Sequence, residues 1–290
     1  MIAGDSRVSI YQNIFDTTGH YTVSVDDALE RIKIGKSKAA AVVSLAALRP
    51  AAAAGQRLHY QVWLGGAAVM DVTMTLQVET ESYSVGLQGV LAGPPSWLYD
   101  IRLAGLAEGT LAAGTPVPAR YRLEQSDDGK PEWLQLDFDA GGLPVRSTDP
   151  PLGDEKREPL DAAAIRGSLD PLSGLLSLLL QATAAGGACP AGTAIYDGRR
   201  RFDVGVVDRG LELMGASLIN SYQGPARLCE ALLTPRGGFR RSGRDLEAFP
   251  RSLMLYVAPP GPDPWALPVR IQAETALGAL ILHLVLVEPL

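Results

Sequence analysis

The stretch LHYQVWLGGAAVMDVTMTLQV, Leu58–Val78, carries a clear signal for β structure. Apolar residues fall on every second position from Leu58 to Leu64 and again from Val72 to Val78. A period of two is typical of β-strands with one buried face. Because Gly65-Gly66 favours a tight turn between the halves, the stretch predicts an antiparallel hairpin.

The same alternation recurs along the rest of the chain. Residues 141–161, by contrast, are rich in proline, glycine and charge, and are predicted to form a surface loop. We therefore predict a mainly β protein, built as a large curved antiparallel sheet or half-open barrel of about ten or eleven strands. The further alternating segments begin near Tyr83, Trp97, Tyr121, Leu134, Phe202, Leu211, Arg227, Leu253, Val269 and Ala279.

One helix is predicted, at about residues 170–184. Asp170 or Ser168 can cap it, and Pro171 suits its first turn. Leucines then recur at helical spacing from Leu172 to Leu180, and Gly186-Gly187 ends the segment. We expect this leucine stripe to pack against the sheet as core.

The first 54 residues are predicted to lie outside the main domain. Residues 33–54 combine a basic stretch, a short apolar run and Ala51–Ala54, a pattern typical of a signal peptide. The apolar run, of about ten residues, is too short to span a bilayer as a helix. Residues 1–32 are interpreted as an extraneous or mis-annotated segment, and 55–290 as a single β-rich domain. The alternative is an alanine-rich internal helix of a cytosolic protein.

The chain has two cysteines, Cys189 and Cys229. With a signal-like segment present, we predict that they form a disulfide; two buried free thiols are the alternative. Such a bridge would close a loop of about 40 residues, worth roughly 3–4 kcal/mol in the chain-entropy model.

Residues from about Tyr60 to Val287 resemble the exported bacterial family called domain of unknown function 3108. The resemblance rests on several motifs in order: Tyr60–Gly66, Asp170–Leu176, Tyr196–Asp203, Gly224-Pro225 before Cys229, Gly238-Phe239, Leu267–Ile271 and Thr275–Gly278. It implies export and a curved antiparallel sheet related in shape to the LolA/LolB lipoprotein carriers. It implies no established activity. Residues 54–56 contain no cysteine to lipidate, which favours a soluble periplasmic form.

The densest charged motif is Asp197–Asp203, DGRRRFD. Its arginines, Arg199 and Arg201 in particular, could bind an anion or a lipid headgroup, because a guanidinium presents a bidentate fork. The structural interpretation, which we favour, is a hairpin turned by Asp197-Gly198 with arginines paired to carboxylates. Trp97 and Tyr99 are further candidates for contacts with a ligand.

No catalytic residue, metal site or cofactor is predicted. The chain lacks a G-x-S-x-G motif, and its histidines are too few for a recognisable metal site. A net charge of −6 gives no electrostatic footprint for nucleic acid. We therefore do not expect an enzyme.

The leading hypothesis is an exported, monomeric periplasmic protein that binds or carries a lipid-like or other hydrophobic envelope component. The concave face of the sheet could enclose such a ligand, or it could be filled by a solid core. The rival is an envelope structural or assembly factor that binds another protein. A hydrolase using Asp197 and Asp203 is a third option.

Overall fold

The computed structural model describes residues 54–97, 100–127, 129–150, 157–247, 249–261, 264–275 and 277–290. The predictions for residues 1–32 and, apart from Ala54, for residues 33–54 lie outside this part of the chain. Ala54 is the first residue of the first strand.

Thirteen strands form one antiparallel sheet within the described residues. The helical elements are a 3-10 helix (Pro94–Trp97), α1 (Ala162–Ile165), α2 (Pro171–Ala184) and α3 (Arg244–Glu247). The strands are β1 (Ala54–Leu64), β2 (Ala67–Val78), β3 (Ser82–Leu91), β4 (Ile101–Ala112), β5 (Thr115–Asp127), β6 (Lys130–Phe138), β7 (Pro144–Asp149), β8 (Gly192–Tyr196), β9 (Arg201–Met214), β10 (Gly224–Gly237), β11 (Ser252–Ala258), β12 (Leu267–Thr275) and β13 (Gly278–Pro289).

The strands are ordered β7-β6-β5-β4-β3-β2-β1-β13-β12-β11-β10-β9-β8. Two meanders therefore meet where the last strand pairs with the first. The predicted hairpin is confirmed, with Leu64 opposite Ala67. Its turn residues Gly65 and Gly66 have φ angles of 56° and 88°, which glycine adopts without strain.

The predicted fold class, a mainly β curved antiparallel sheet against one long helix, is confirmed. The strand count was too low, and the loop predicted at 141–161 was partly wrong, because Pro144–Asp149 forms β7. Proline is tolerated there since β7 is an edge strand with one unpaired side. Within the described residues, no helix is both long and apolar enough to cross a membrane.

Helix α2 lies against the concave face of the sheet. The carboxylate of Asp170 caps it, accepting backbone N–H bonds from Leu172 and Ser173 at 3.0 and 2.9 Å. The helix contacts β3, β4 and β5 on one side and the edge strand β8 on the other, so the sheet curls around it. Gly105 in β4 lets Leu172 approach closely, since a Cβ there would lie 3.2 Å from Leu172 Cδ1.

Residues 167–169, in the described part of the connection before α2, contact both open edges of the sheet. The Leu169 N–H donates to Ala194 O at 2.9 Å, which adds a short parallel bridge beside β8. The Gly167 N–H donates to Gly142 O at 3.0 Å, near the start of β7. This segment therefore covers edge groups that would otherwise face solvent.

Candidate functional site

The Asp197–Asp203 motif forms the turn between β8 and β9. The Asp197 carboxylate accepts backbone N–H bonds from Arg199 and Arg200 at 2.9 and 2.6 Å, and pairs with the Arg200 guanidinium at 2.8 Å. Gly198, with φ of 88°, completes the turn. Most of the polar groups of the turn are thus engaged with one another, as the structural interpretation expected.

Arg201 is 13% exposed and donates to Asp203 at 2.6 Å. Arg236 on β10 donates to the other oxygen of the same carboxylate at 2.6 Å. Partial burial works against ionisation of Asp203, but these hydrogen bonds outweigh it and lower the pKa of the carboxyl. The guanidinium of Arg201 therefore already has an anionic partner within the protein.

Among the predicted site residues that the structure describes, Trp97 is the most solvent-exposed, at 81%. It ends the 3-10 helix Pro94–Trp97 rather than starting a strand, because Pro94-Pro95 breaks the extended run and β4 begins only at Ile101. Trp97 and Arg199 lie at the same end of the sheet on separate connections. Tyr99 lies outside the described residues.

Cys189 and Cys229 form a disulfide, with Cα atoms 5.6 Å apart, so this prediction is confirmed. Cys229 belongs to β10, and Cys189 lies in the connection from α2 to β8. The bond packs with Ala182, Val257 and Ala266. It therefore fastens the end of the helix to the sheet.

The concave face of the sheet is filled by side chains. Leu176 of α2 is fully buried and packs in one cluster with residues from both meanders. The interior of the curl is thus occupied by core around α2. The buried members of this cluster are Leu58, Tyr60, Met74, Leu76, Tyr83, Val85, Ala107, Tyr121, Leu134, Leu136, Leu172, Leu176, Leu179, Tyr196, Ala226, Ala258, Trp265, Leu267, Val269, Leu284 and Val287.

One polar cluster interrupts this core at the start of α2. Tyr83 Oη and Ser173 Oγ share a buried 2.6 Å hydrogen bond. Asp170 is fully buried, and its Oδ2 has no hydrogen-bond partner among the described residues. Burial raises the pKa of Asp170 to about 6, against hydrogen bonds from Ser173 and Leu172 that lower it.

A groove of about 630 Å³ lies on the opposite, outer face of the sheet, across β1 to β5. Two adjacent rows of cross-strand neighbours build most of it. One row runs Arg57, Thr75, Gly86, Leu106, Arg122, and the other runs His59, Thr73, Gln88, Ala104, Glu124. Leu87 and Gly105 complete the lining. Gly86 in the first row and Ala104 in the second have small side chains, which leaves the space that the groove occupies.

One wall of the groove carries a chain of polar contacts from β2 to β13. Thr73 Oγ1 lies 3.2 Å from His59 Nδ1, and His59 Nε2 lies 3.0 Å from Glu288 Oε2. Arg57 lies 3.8 Å from the same Glu288 oxygen. This side therefore presents an arginine beside an imidazole that is already held at both nitrogens.

The other wall is centred on Arg122. Its Nε donates to Glu124 at 2.7 Å, and its Nη1 donates to Gln135 at 3.2 Å. The guanidinium also stacks over Trp133, 4.6 Å from the ring centroid. Three neighbours therefore fix the side chain of Arg122, which bounds this side of the groove.

The groove residues were not among the predicted site residues. The sequence signal that could have found them is the polar face of the Leu58–Val78 hairpin, which carries His59 and Thr73. Gly86 and Ala104 also lie at solvent-facing positions of their strands. Their sequence positions indicate a recess only once the strand register is known. Within the described ranges, no group of three or more His, Cys, Asp or Glu could hold a metal ion.

These features define a class: a barrel-like protein made of one curled, open antiparallel sheet, with a helix filling its interior and a groove outside. The chain belongs to the DUF3108 family, whose description is "Protein of unknown function (DUF3108)" and whose pattern matches residues 57–285. The resemblance to this family is thereby confirmed. The relation in shape to the LolA/LolB carriers stays a prediction.

Among solved structures, the chain is similar to a beta-barrel-like protein of domain of unknown function DUF1849 from Brucella abortus. The identity is 11%, the match covers 82% of this chain and 98% of that chain, and the TM-score is 0.47. No curated protein sequence matches the chain.

Proposed function

We propose that the protein is a non-catalytic, exported binding protein of the bacterial envelope, which holds a lipid-like or other amphiphilic component in the outer groove. The observation that carries this proposal is the groove itself. Its middle is lined by Gly86, Ala104 and Leu106 together with Gln88, and its walls carry Arg57 and Arg122. The lining thus combines apolar residues with polar side chains that can orient a ligand, as small-molecule sites do.

The filled interior favours the outer groove over the concave face as the ligand site. An apolar ligand inside the curl would have to displace Leu176 and its neighbours, which are packed in the main core. Displacing close-packed leucines costs several kcal/mol each, by analogy with cavity-forming substitutions, at about 2–5 kcal/mol. The groove needs no such rearrangement.

The disulfide supports a location outside the cytoplasm, because such bonds persist mainly in oxidising compartments. This argument is independent of the signal-like segment at residues 33–54. The periplasm is the compartment that agrees with both, and we expect the protein to act there as a monomer.

The contact chain Thr73–His59–Glu288 has the order of a nucleophile, a base and an orienting acid. Acyl transfer also needs donors aimed at a developing oxyanion. Thr73 lies in the middle of β2, opposite His59 on β1 and Gln88 on β3, so the backbone N–H groups around it belong to the ladders. This surrounding favours binding over catalysis.

Blocking the groove tests the proposal. Gly86→Phe should fill it without strain, since a Cβ there meets only Thr75, at 3.5 Å. Gly205→Phe is the matched control, because Gly205 is a strand glycine with nothing within 4 Å of a Cβ and lies on β9. The readout is mass spectrometry of small molecules that co-purify with each protein from a bacterial periplasm.

We expect the wild type and Gly205→Phe to carry the same amphiphile and Gly86→Phe to lose it at an unchanged melting temperature. Retention of the amphiphile by Gly86→Phe would reject the groove as the site. An empty wild type, with a protein partner in its place, would favour the alternative.

That alternative is an envelope assembly factor that binds another protein along β9. Strand β8 pairs with β9 only from Arg201 to Gly205. Within the described residues, the far part of β9 has no strand on that side, and there Leu211 and Leu213 are 67% and 85% exposed. A free edge with exposed leucines suits β-strand addition. A photo-crosslinker at position 213 should then capture one envelope protein, while the same probe at Arg120 captures none.

A further inference from the structure

Arg57 and Arg122 differ in how far their donors are used by the part of the protein that the structure describes. Within the described residues the guanidinium of Arg57 makes no hydrogen bond, and its only ionic contact is the 3.8 Å approach to Glu288. Glu288 in turn already lies 3.0 Å from the His59 ring nitrogen. A guanidinium has five N–H donors arranged to grip a carboxylate or phosphate. Arg57 therefore has unused capacity for an anion.

The residues beside Arg57 change from polar to apolar across the sheet. Thr75 lies directly opposite Arg57, and Gly86, then Leu106, follow on the next strands. Three strand spacings separate Arg57 from Leu106, about 14 Å. A ligand that lies along this row would contact the guanidinium of Arg57 at one end and the apolar residues Gly86 and Leu106 further along.

The groove also differs in charge from the protein around it. Its lining holds two arginines and one glutamate, whereas the whole chain has a net charge of −6. Glu124 is engaged by Arg122, so it offers little repulsion to an anion near Arg57. Glu288 competes for Arg57, but a half-exposed ion pair at 3.8 Å is weak and can be displaced.

We propose that the groove takes an anionic amphiphile, whose phosphate or carboxylate pairs with Arg57 while its alkyl part lies over Gly86, Ala104 and Leu106. This inference rests on the groove being the binding site proposed above. Thr75 lies directly opposite Arg57, and its side chain makes no hydrogen bond in the described part of the chain, so it supplies a neutral donor beside the anion.

Calorimetric titration of the full chain tests the charge and the alkyl part separately. The probes are decyl phosphate and decanoate below their micelle concentrations, decyl maltoside with the same alkyl chain but no charge, and inorganic phosphate. Decyl phosphate and decanoate should each bind at one site. Decyl maltoside should bind about tenfold more weakly than decyl phosphate, since it lacks the partner of Arg57. Inorganic phosphate should give no saturable heat.

Three variants locate the anion. Arg57→Gln should weaken binding of decyl phosphate about tenfold. Glu288→Gln should strengthen it roughly twofold to fivefold, because it removes the competing carboxylate. Arg209→Gln is the control, since Arg209 is a strand arginine on β9 that pairs with a glutamate and is 50% exposed, against 45% for Arg57.

Each contrary result overturns a different statement. If the wild type and Arg57→Gln bind decyl phosphate equally well and Gly86→Phe does not bind it, the groove remains the site but the pairing of the anion with Arg57 is rejected. Equal affinity for inorganic phosphate and decyl phosphate rejects the amphiphile. Unchanged binding of decyl phosphate by Gly86→Phe rejects the groove, and with it the proposed function.

Discussion

Arg146 Nη1 donates a 2.6 Å hydrogen bond to the carbonyl oxygen of Gly198. Arg146 belongs to β7, at one edge of the sheet, and Gly198 lies in the turn after β8, at the other. The two edge strands are not neighbours in the ladder, so a side chain joins them where backbone pairing does not. Tyr196 Oη donates to the same carbonyl at 3.0 Å, which fixes its position.

Arg146→Met should therefore loosen the junction of the two edges. The variant keeps an apolar stem but loses the donors, and a hydrogen bond from a charged group contributes about 1.5–3 kcal/mol. We expect the free energy of unfolding in urea to fall by about 1–2 kcal/mol, with faster amide exchange in β7. Arg120→Met, which breaks an exposed pair with Asp137, is the control and should cost under about 1 kcal/mol. Equal losses in both variants would argue against a special role for Arg146.

The junction also illustrates what sequence can and cannot predict. Local signals identified the hairpin at Gly65-Gly66 and the helix capped by Asp170, because turn chemistry and capping depend on a few consecutive residues. The pairing of β1 with β13 and the approach of Arg146 to Gly198 depend on the curl of the whole sheet. The motif around Arg199 and Arg201 was visible, but only the contacts of Asp197 and Asp203 show how it is used.

The groove could not be predicted from the sequence for a related reason. Its rows are defined by register across five strands, and bulges shift that register between Val62 and Trp63 and between Glu108 and Gly109. A shift of one residue exchanges the faces of a strand. Without the register, Arg57 and Gly86 cannot be assigned to one recess.

Asp170→Asn should remove a pH dependence of stability. The folded-state pKa of Asp170 is about 6, above the ordinary value of 3.8, so the folded protein holds the proton more tightly than the unfolded chain does. The contribution of Asp170 is thus fully present below about pH 4 and is lost as the pH rises through 6. Its size is on the order of 2–3 kcal/mol, at 1.36 kcal/mol for each pKa unit.

The measurement for Asp170 is urea unfolding at pH 5 and pH 7.5 for the wild type and the variant. Asparagine caps helices about as well as aspartate, so the cap is preserved. Burial lowers the pKa of His283, which acts in the opposite direction over the same range. Both proteins contain His283, so its contribution cancels when their free energies of unfolding are subtracted. The remaining difference should shift in favour of the variant between pH 5 and pH 7.5. If the difference in free energy of unfolding between the two proteins does not change with pH, the raised pKa of the buried Asp170 carboxyl is wrong.

Addition of a reductant should destabilise the wild type but not the double variant Cys189→Ala/Cys229→Ala, which lacks the disulfide. The bond closes a 40-residue separation, and the chain-entropy model gives roughly 3–4 kcal/mol for such a loop. We expect the melting temperature to fall on addition of reductant in the wild type alone. An equal fall in the double variant would show that the reductant acts elsewhere.

Tyr83 and Ser173 should show a measurable coupling energy. Their hydroxyl oxygens are 2.6 Å apart in the core, where neither can turn to solvent. The close backbone of Gly109, whose absent Cβ would lie 2.8 Å from Tyr83 Oη, restricts the ring to this position. Tyr83→Phe and Ser173→Ala should each lower the free energy of unfolding by about 1–2 kcal/mol, because each leaves a buried hydroxyl unpaired. In the double variant neither hydroxyl remains, so its loss should be smaller than the sum of the single losses by about 1 kcal/mol. Simple additivity in urea unfolding would mean that the two hydroxyls do not stabilise one another.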